Sequence, residues 1–305
     1  MTTEKIFDEA LKNILSEDEI LKDEPMKHHT TFRVGGPAEY YLRPKKEQVA
    51  EVLRLCLTYQ KEYLIIGNGS NLLVSDKGIS GVVIEIGKQM DEITVDGTTI
   101  YAQAGAMLSK TAHAALEAGL TGMEFAAGIP GCVGGAVVMN AGAYGGEMKD
   151  ILKSVTVLTA DGQEKELTPG ELDMSYRHSS ITEEHYMVLG VTIALEAGSQ
   201  EHIRSKMEEL KEKRVEKQPL EYPSAGSTFK RPEGYFAGKL IMDAGLRGFQ
   251  VGGAAVSEKH CGFVINKEKA TASDVYRLIQ EVQQEVYRQF GVKLETEVKM
   301  VGDFR

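Results

Sequence analysis

The chain has few cysteines and no long apolar run, and both shortages limit what it can be. Its three cysteines, Cys56, Cys132 and Cys261, lie far apart in 305 residues. They form neither a Cys-x-x-Cys redox or zinc pattern nor a paired disulfide framework. No stretch reaches the roughly 18 consecutive apolar residues that a membrane-spanning helix needs. These shortages favour a protein of the reducing cytoplasm and predict no membrane partner.

The chain also has fewer basic than acidic residues. Lysine and arginine total 35 against 45 acidic residues, for a net charge of −10, which gives no basic surface for nucleic acid. Residues 1–20 alternate charged and apolar side chains and lack the apolar core of a secretion signal. The seven histidines show no His-x-x-x-His spacing with a suitable acid, so no metal site is predicted. A hydrophobic content of 42% with 26% charged residues is ordinary for a globular protein.

Glycine is plentiful and is concentrated in two loops. They read GNGSNLLVSD at residues 67–76 and GIPGCVGGAVVMNAGAYG at residues 128–145. The first follows an apolar run, but Leu72 occupies the place of the third glycine of a Rossmann turn. The second lacks the Gly-Lys-Ser/Thr ending of a P-loop. Since such loops bring backbone N–H groups close to a pyrophosphate, we predict a dinucleotide ligand held outside both of these familiar frameworks.

Periodicity and turn signals predict an α+β chain. The expected elements are a helix over residues 47–59, a strand at Tyr63–Ile66, a hairpin at Asp161-Gly162, a charged helix from Gln200 to Lys217 and a capped helix between Thr271 and Gly291. The charged helix reads as a solvated connection between lobes and places a domain boundary near residue 197. We therefore expect lobes at residues 1–81, 82–197 and 198–305.

Six blocks carry a family resemblance. In chain order they read GNGSNLLVSD, PGCVGGAVVMNAGAYGGE, SYRHSS, AGSTFKRP, VGGAAVSEKHCGFVIN and LETEV. Together they resemble the UDP-N-acetylenolpyruvoylglucosamine reductases of bacterial peptidoglycan synthesis, from about His29 to Val301. The resemblance implies a two-lobed FAD-binding domain of the PCMH/vanillyl-alcohol-oxidase type, followed by a C-terminal α+β substrate-binding domain that packs its tail back on the first lobe.

The resemblance also implies the reaction and its cofactors. FAD takes electrons from NADPH and delivers hydride to the enolpyruvyl group of UDP-N-acetylglucosamine enolpyruvate. We expect non-covalent FAD, because no histidine occurs among residues 67–76, and we expect a monomer. The positions implied for FAD are, in the first loop, Gly67, Asn68, Gly69, Ser70 and Asn71, and in the second, Gly131, Cys132, Val133, Gly134, Gly135, Asn140, Ala141 and Gly142.

Three residues match the family's catalytic positions. Ser227 is implied as the acid that protonates the enol carbon. Arg177 would clamp the substrate carboxylate with its planar guanidinium, which lysine does not imitate. Glu297 would assist at the carboxylate end. From the residues alone Glu295 and Glu297 are not distinguished, because side chains two residues apart share one face of a strand; the family pattern selects Glu297.

Four positively charged residues of the third lobe are implied as substrate contacts. These are Arg214, Lys217, Lys230 and Arg231; for Arg214 and Lys217 a solvated helix face is an equal alternative. Arg231 stands where one branch of the family has asparagine, and the chain resembles the shorter second type.

Two other functions stay open at this point. They are a flavin-dependent oxidase of a sugar or hydroxy acid, and a non-catalytic flavin- or sugar-nucleotide-binding protein.

Overall fold

The computed structural model describes residues 3–305 and has the mixed helix and strand content of the predicted α+β class. Its α-helices are α1 (Thr3–Lys12), α2 (Lys46–Thr58), α3 (Leu108–Glu117), α4 (Val133–Val138), α5 (Gln200–Lys217), α6 (Ala237–Asp243) and α7 (Ala272–Phe290). Short 3-10 helices lie at Glu17–Glu19, Met26–His28, Lys88–Met90, Glu124–Ala126 and Met148–Asp150.

The strands form two larger sheets and several small ones. The first eight are β1 (Ile20–Pro25), β2 (Pro37–Leu42), β3 (Tyr63–Ile66), β4 (Leu72–Val74), β5 (Ile79–Glu85), β6 (Ile93–Asp96), β7 (Thr99–Gln103) and β8 (Leu120–Thr121). The next six are β9 (Gly142–Ala143), β10 (Gly146–Glu147), β11 (Leu152–Leu158), β12 (Glu164–Leu167), β13 (Met187–Ala194) and β14 (Glu196–Ala197). The last four are β15 (Gln250–Val251), β16 (Ala254–Val256), β17 (Val264–Asn266) and β18 (Lys299–Val301).

The chain divides into two compact units. Unit 1 contains the residues up to Lys22, Tyr40–Asn68 and Gly81–Lys213, and unit 2 contains Asp23–Glu39, Gly69–Ser80 and Arg214–Arg305. The expected boundary near residue 197 differs from this division, since Ile203 and Met207 of α5 pack in the core of unit 1. The division into two FAD lobes and a substrate domain stays a prediction.

Unit 1 is built on an antiparallel five-stranded sheet in the order β12-β11-β13-β7-β6. The Asp161-Gly162 hairpin predicted from the sequence is confirmed, because β11 and β12 pair antiparallel on either side of it. Gly162 has φ +82°, a conformation that suits glycine at a tight turn. Most of the four-stranded sheet β1-β2-β5-β3 also belongs to this unit.

Unit 2 combines a small antiparallel sheet with α7. The sheet has the order β15-β16-β17, and β18 pairs in parallel with β4. The predicted capped helix is confirmed: Asp274 N–H donates to Thr271 Oγ1, and Thr271 N–H donates to Asp274 Oδ2, both at 3.0 Å. Gly291 ends α7 at φ +69°. The apolar face predicted for this helix is fully buried in unit 2 and consists of Val275, Leu278, Ile279, Val282 and Val286.

Candidate active site

Gly67 and Asn68, the first two residues of the first glycine loop, lie against the second glycine loop inside unit 1. A Cβ on Gly67 would lie 2.1 Å from Cys132 Sγ, so no larger residue fits there. Asn68 Nδ2 donates to the carbonyl oxygen of Pro130 at 2.6 Å. The first two residues of one predicted cofactor loop are therefore fixed against the start of the other.

The thiol of Cys132 lies buried at this meeting point. Burial raises the pKa of the Cys132 thiol, while nearby backbone N–H groups, those of Gly135 and Asn68 foremost, act in the opposite direction. The sulfur lies against Gly67 of the first loop and Gly135 of the second, where a Cβ would come within 2.1 and 3.6 Å of it.

The helix α4 that follows uses most of its first N–H groups within unit 1. Val133 N–H donates to Ala106 O at 2.8 Å, and Gly134 N–H donates to Ala104 O at 2.7 Å. In unit 2, the N–H groups of Gly69 and Ser70 donate to no protein acceptor among residues 3–305. Gly69 has φ +59°, and successive N–H groups around a left-handed residue form an anion nest. The N–H groups of Gly69 and Ser70 in the first loop therefore suit an anion such as a pyrophosphate.

Asn140, predicted to lie close to the flavin, has a fully buried side chain. Its Nδ2 donates to Glu147 Oε2 at 2.7 Å and to Ser175 O at 3.0 Å, and its Oδ1 accepts from Lys149 N–H at 2.9 Å. The amide is therefore occupied by contacts within unit 1. Next to it, the backbone N–H of Ala141 donates to Ala136 O at 2.8 Å.

Arg177 lies at the tip of a tight hairpin in the same unit. Ser175 and His178 exchange two backbone hydrogen bonds, at 3.1 and 3.2 Å, with Tyr176 and Arg177 between them. Arg177 has φ +56°, at a turn position where glycine or asparagine is usual. Its Nη2 donates to Gly142 O at 3.4 Å, which brings it to a residue of the second predicted cofactor loop.

Ser227 and Glu297 lie in unit 2 on chain segments that are paired by their backbones. Glu297 N–H donates to Thr228 O at 2.9 Å, and Phe229 forms an antiparallel bridge with Thr296. Thr228 is fully buried, and its Oγ1 accepts the N–H of Val264 at 2.9 Å. Ser227 and Glu297 are both half-buried. The backbone of unit 2 thus holds two of the three predicted catalytic residues in neighbouring segments.

Asn71 fastens the Glu297 segment from its other side. Asn71 Nδ2 donates to Glu297 O at 3.0 Å, and Lys299 N–H donates to Asn71 O at 2.9 Å. Five residues further on, Asp76 accepts from the N–H groups of Ala272 and Ser273 at 2.8 Å each. Asn71 is therefore part of the support for Glu297, in addition to its predicted contact with FAD.

The two glutamates that the sequence left undistinguished differ in their surroundings. Glu295 has a side chain that is 75% exposed, and it pairs with Lys230 across 3.3 Å. Glu297 is half-buried, next to the segment of Ser227. The difference favours Glu297 as the residue that faces a substrate, and Glu295 as a surface ion-pair partner.

The four predicted substrate cations are spread along unit 2. Arg231 stacks on the ring of Phe236 with Cζ 4.0 Å from the ring centroid, and Lys230 pairs with Glu295. Arg214 and Lys217 lie in the last turn of α5, where Lys217 is exposed and Arg214 is half-buried. The substrate roles of all four stay predictions.

Sequence reasoning missed the residues that hold the candidate side chains within each unit. No sequence pattern singles out Thr228 or Glu147, and the family resemblance assigns Asn71, Cys132 and Asn140 to FAD alone. Thr228 stands beside Ser227, and Glu147 ends the AYGGE block, so both lie in motifs that were already noted. Their side-chain partners are distant in sequence, which no local pattern reveals.

Comparison with known proteins adds two domain matches. Residues 38–168 match the model of an FAD binding domain. Residues 218–301 match the model described as "UDP-N-acetylenolpyruvoylglucosamine reductase, C-terminal domain". The first match covers both glycine loops, and the second covers Ser227 and Glu297. The prediction of an FAD cofactor is confirmed.

Two relatives that match along nearly the whole chain carry the same name. The chain is 60% identical over 297 residues to the UDP-N-acetylenolpyruvoylglucosamine reductase of Agathobacter rectalis, covering 93% of this chain and 95% of that protein. It is 50% identical over 300 residues to the protein of that name from Caldanaerobacter subterraneus, covering 98% and 99%. The crystal structure of the Thermus caldophilus reductase matches with a TM-score of 0.80 and 36% identity, over 91% of this chain and 97% of that one.

Proposed function

Because the chain belongs to the UDP-N-acetylenolpyruvoylglucosamine reductase family, we propose that it reduces the enolpyruvyl group of UDP-N-acetylglucosamine enolpyruvate. The product is UDP-N-acetylmuramate, for peptidoglycan synthesis. The single observation that carries the proposal is 60% identity over 93% of the chain to a reductase of that name. FAD, when bound, supplies the hydride to the enolpyruvyl group after taking it from NADPH.

The protein's own residues then have to stabilise the developing negative charge and supply a proton to the substrate carbon. Hydride addition at the vinyl carbon distal to the carboxylate places negative charge on the adjacent carbon, delocalised into the carboxylate. In the proposal Arg177 balances that charge with two parallel N–H donors. The Ser227 hydroxyl gives its proton to the carbon, because a carbanion-like acceptor is basic enough to take it from a weak acid. Glu297 assists at the same end of the substrate.

We propose that different lobes bind the cofactor and the substrate. Residues 1–81 and 82–197 hold non-covalent FAD through the two glycine loops, and residues 198–305 bind the substrate. Lys217, Arg214, Lys230 and Arg231 are proposed contacts of the substrate diphosphate, because cations suit its charge. We further propose an NADPH-using monomer in the cytoplasm. Three buried cysteines without disulfides suit a reducing compartment. Among residues 3–305, no helix is both long and apolar enough to span a bilayer.

An anaerobic spectral titration tests the function. NADPH should bleach the oxidised flavin band at about 450 nm, and UDP-N-acetylglucosamine enolpyruvate should then restore it. Recovery with oxygen alone would contradict the proposal and favour an oxidase. Flavin that stays with acid-precipitated protein would contradict non-covalent binding.

A further inference from the structure

The side chain of Asn140 connects three segments of unit 1 without reaching the surface. Its two Nδ2 protons go to Glu147 Oε2 at 2.7 Å and to Ser175 O at 3.0 Å, and its Oδ1 accepts the N–H of Lys149 at 2.9 Å. The residue is fully buried and has φ +41°. A buried amide with both donor protons used is a structural tie, because few polar sites remain for a ligand.

One of these ties ends on the hairpin that carries Arg177. Ser175 is its first residue, and Ser179, just beyond its last, donates its hydroxyl proton to Val138 O at 2.9 Å. The hairpin is thus fastened on both sides to the C-terminal end of α4 and the residues that follow it. Between the fastenings, Arg177 keeps a left-handed backbone at φ +56°.

That backbone conformation needs support from its surroundings. A non-glycine residue in the left-handed region is strained, and it persists only where neighbouring contacts fix it. The two backbone hydrogen bonds between Ser175 and His178 close the turn. The side-chain amide of Asn140 donates a further hydrogen bond to the Ser175 carbonyl oxygen and anchors it. If this anchor is lost, the turn is free to relax and the guanidinium moves with it.

We propose that Asn140 is a positioning residue for Arg177, holding the strained hairpin so that the guanidinium is aimed before substrate binds. The inference rests on the proposed function, in which Arg177 meets the enolpyruvyl carboxylate. Asn140 then acts through Arg177 and not through contact with the flavin. Its loss slows the reaction with the enolpyruvate far more than the reaction with NADPH, because only the first uses Arg177.

A double-mutant cycle tests the proposal on the FAD-bound protein. Asn140→Asp keeps the size of the side chain but turns an acceptor toward Glu147 Oε2 and Ser175 O. Reoxidation of reduced flavin by the enolpyruvate should slow about 100-fold, the cost of a misplaced catalytic group. In an Arg177→Ala background the same substitution should change the rate by less than about threefold, because the two residues act as one unit.

A second variant and a control keep the test decisive. Asn140→Gly tolerates the positive φ and deletes the amide, so it should repeat the pattern if Asn140→Asp folds poorly. Ser175→Ala is the matched control, because Asn140 bonds the backbone carbonyl there, and it should behave as wild type. Equal slowing with and without Arg177, or a slowing of flavin reduction by NADPH as large as that of reoxidation, would overturn the proposal.

Melting temperature gives a readout that does not depend on activity. Arg177→Gly should raise the melting temperature of the wild type, since glycine accepts the left-handed conformation. In the Asn140→Gly background it should give no rise, because the released hairpin no longer holds the strain. An equal rise in both backgrounds would overturn the proposal. If wild-type flavin is not reoxidised by the enolpyruvate at all, the proposed function fails while this stability cycle still decides whether Asn140 holds the hairpin.

Discussion

The hairpin of Arg177 and the segments of Ser227 and Glu297 are held by different means. In unit 1 a buried asparagine amide anchors the start of a hairpin whose tip residue has φ +56°. In unit 2 backbone pairing joins the segments, with Thr228 and Asn71 fastening them at two further points. The position of Arg177 therefore depends on a strained turn and on one side-chain anchor, whereas the positions of Ser227 and Glu297 depend on several backbone contacts.

The largest expected effect separates Glu297 from Glu295. Glu297→Gln should slow the reaction with the enolpyruvate by about 10²–10⁴-fold if the carboxylate takes part in proton transfer. Glu295→Gln, the matched control, should change that rate by less than about twofold, since an exposed ion pair contributes little. Stopped-flow reoxidation of the reduced flavin measures both. The reverse order would show that Glu295 is the functional residue.

A smaller effect is expected from loss of the hydrogen bond that supports the paired Ser227 and Glu297 segments of unit 2. Thr228→Val keeps the shape of the side chain but leaves the N–H of Val264 without its acceptor, which should cost about 1–3 kcal/mol of unfolding free energy. Thr228→Ser keeps the acceptor and loses one methyl group, at a cost of about 1 kcal/mol. Urea unfolding curves of the two variants provide the measurement. If valine is tolerated as well as serine, the Thr228 hydroxyl does not support the pairing.

The smallest effect concerns the strain at Arg177. Arg177→Gly should stabilise the protein by about 1 kcal/mol while activity is lost, because glycine removes the cost of the left-handed conformation. Arg177→Ala loses the same side-chain chemistry but keeps the strain, so it should bring no such gain. Thermal unfolding of both variants tests the difference. Equal melting temperatures would mean that the hairpin stores no strain.

Local features of this fold were predictable from the sequence. The Thr271 cap, the Gly291 end and the Asp161-Gly162 turn are set by residues within a few positions, and all three are confirmed. The unit boundary inside α5 was not predicted, because a thin apolar stripe does not reveal which core buries Ile203 and Met207. The contact of Asn140 with Ser175 was not predictable for a related reason, because the two residues lie 35 positions apart.

The central claim is that Ser227 and Glu297 serve the reaction with the enolpyruvate and not the reaction with NADPH. Single-turnover rates of both half-reactions in Ser227→Ala test it most directly. The account predicts NADPH bleaching at the wild-type rate and reoxidation by the enolpyruvate slowed by about 10²–10⁴-fold, because only the second step needs a proton donor. Equal slowing of both steps, or wild-type rates in both, would contradict it.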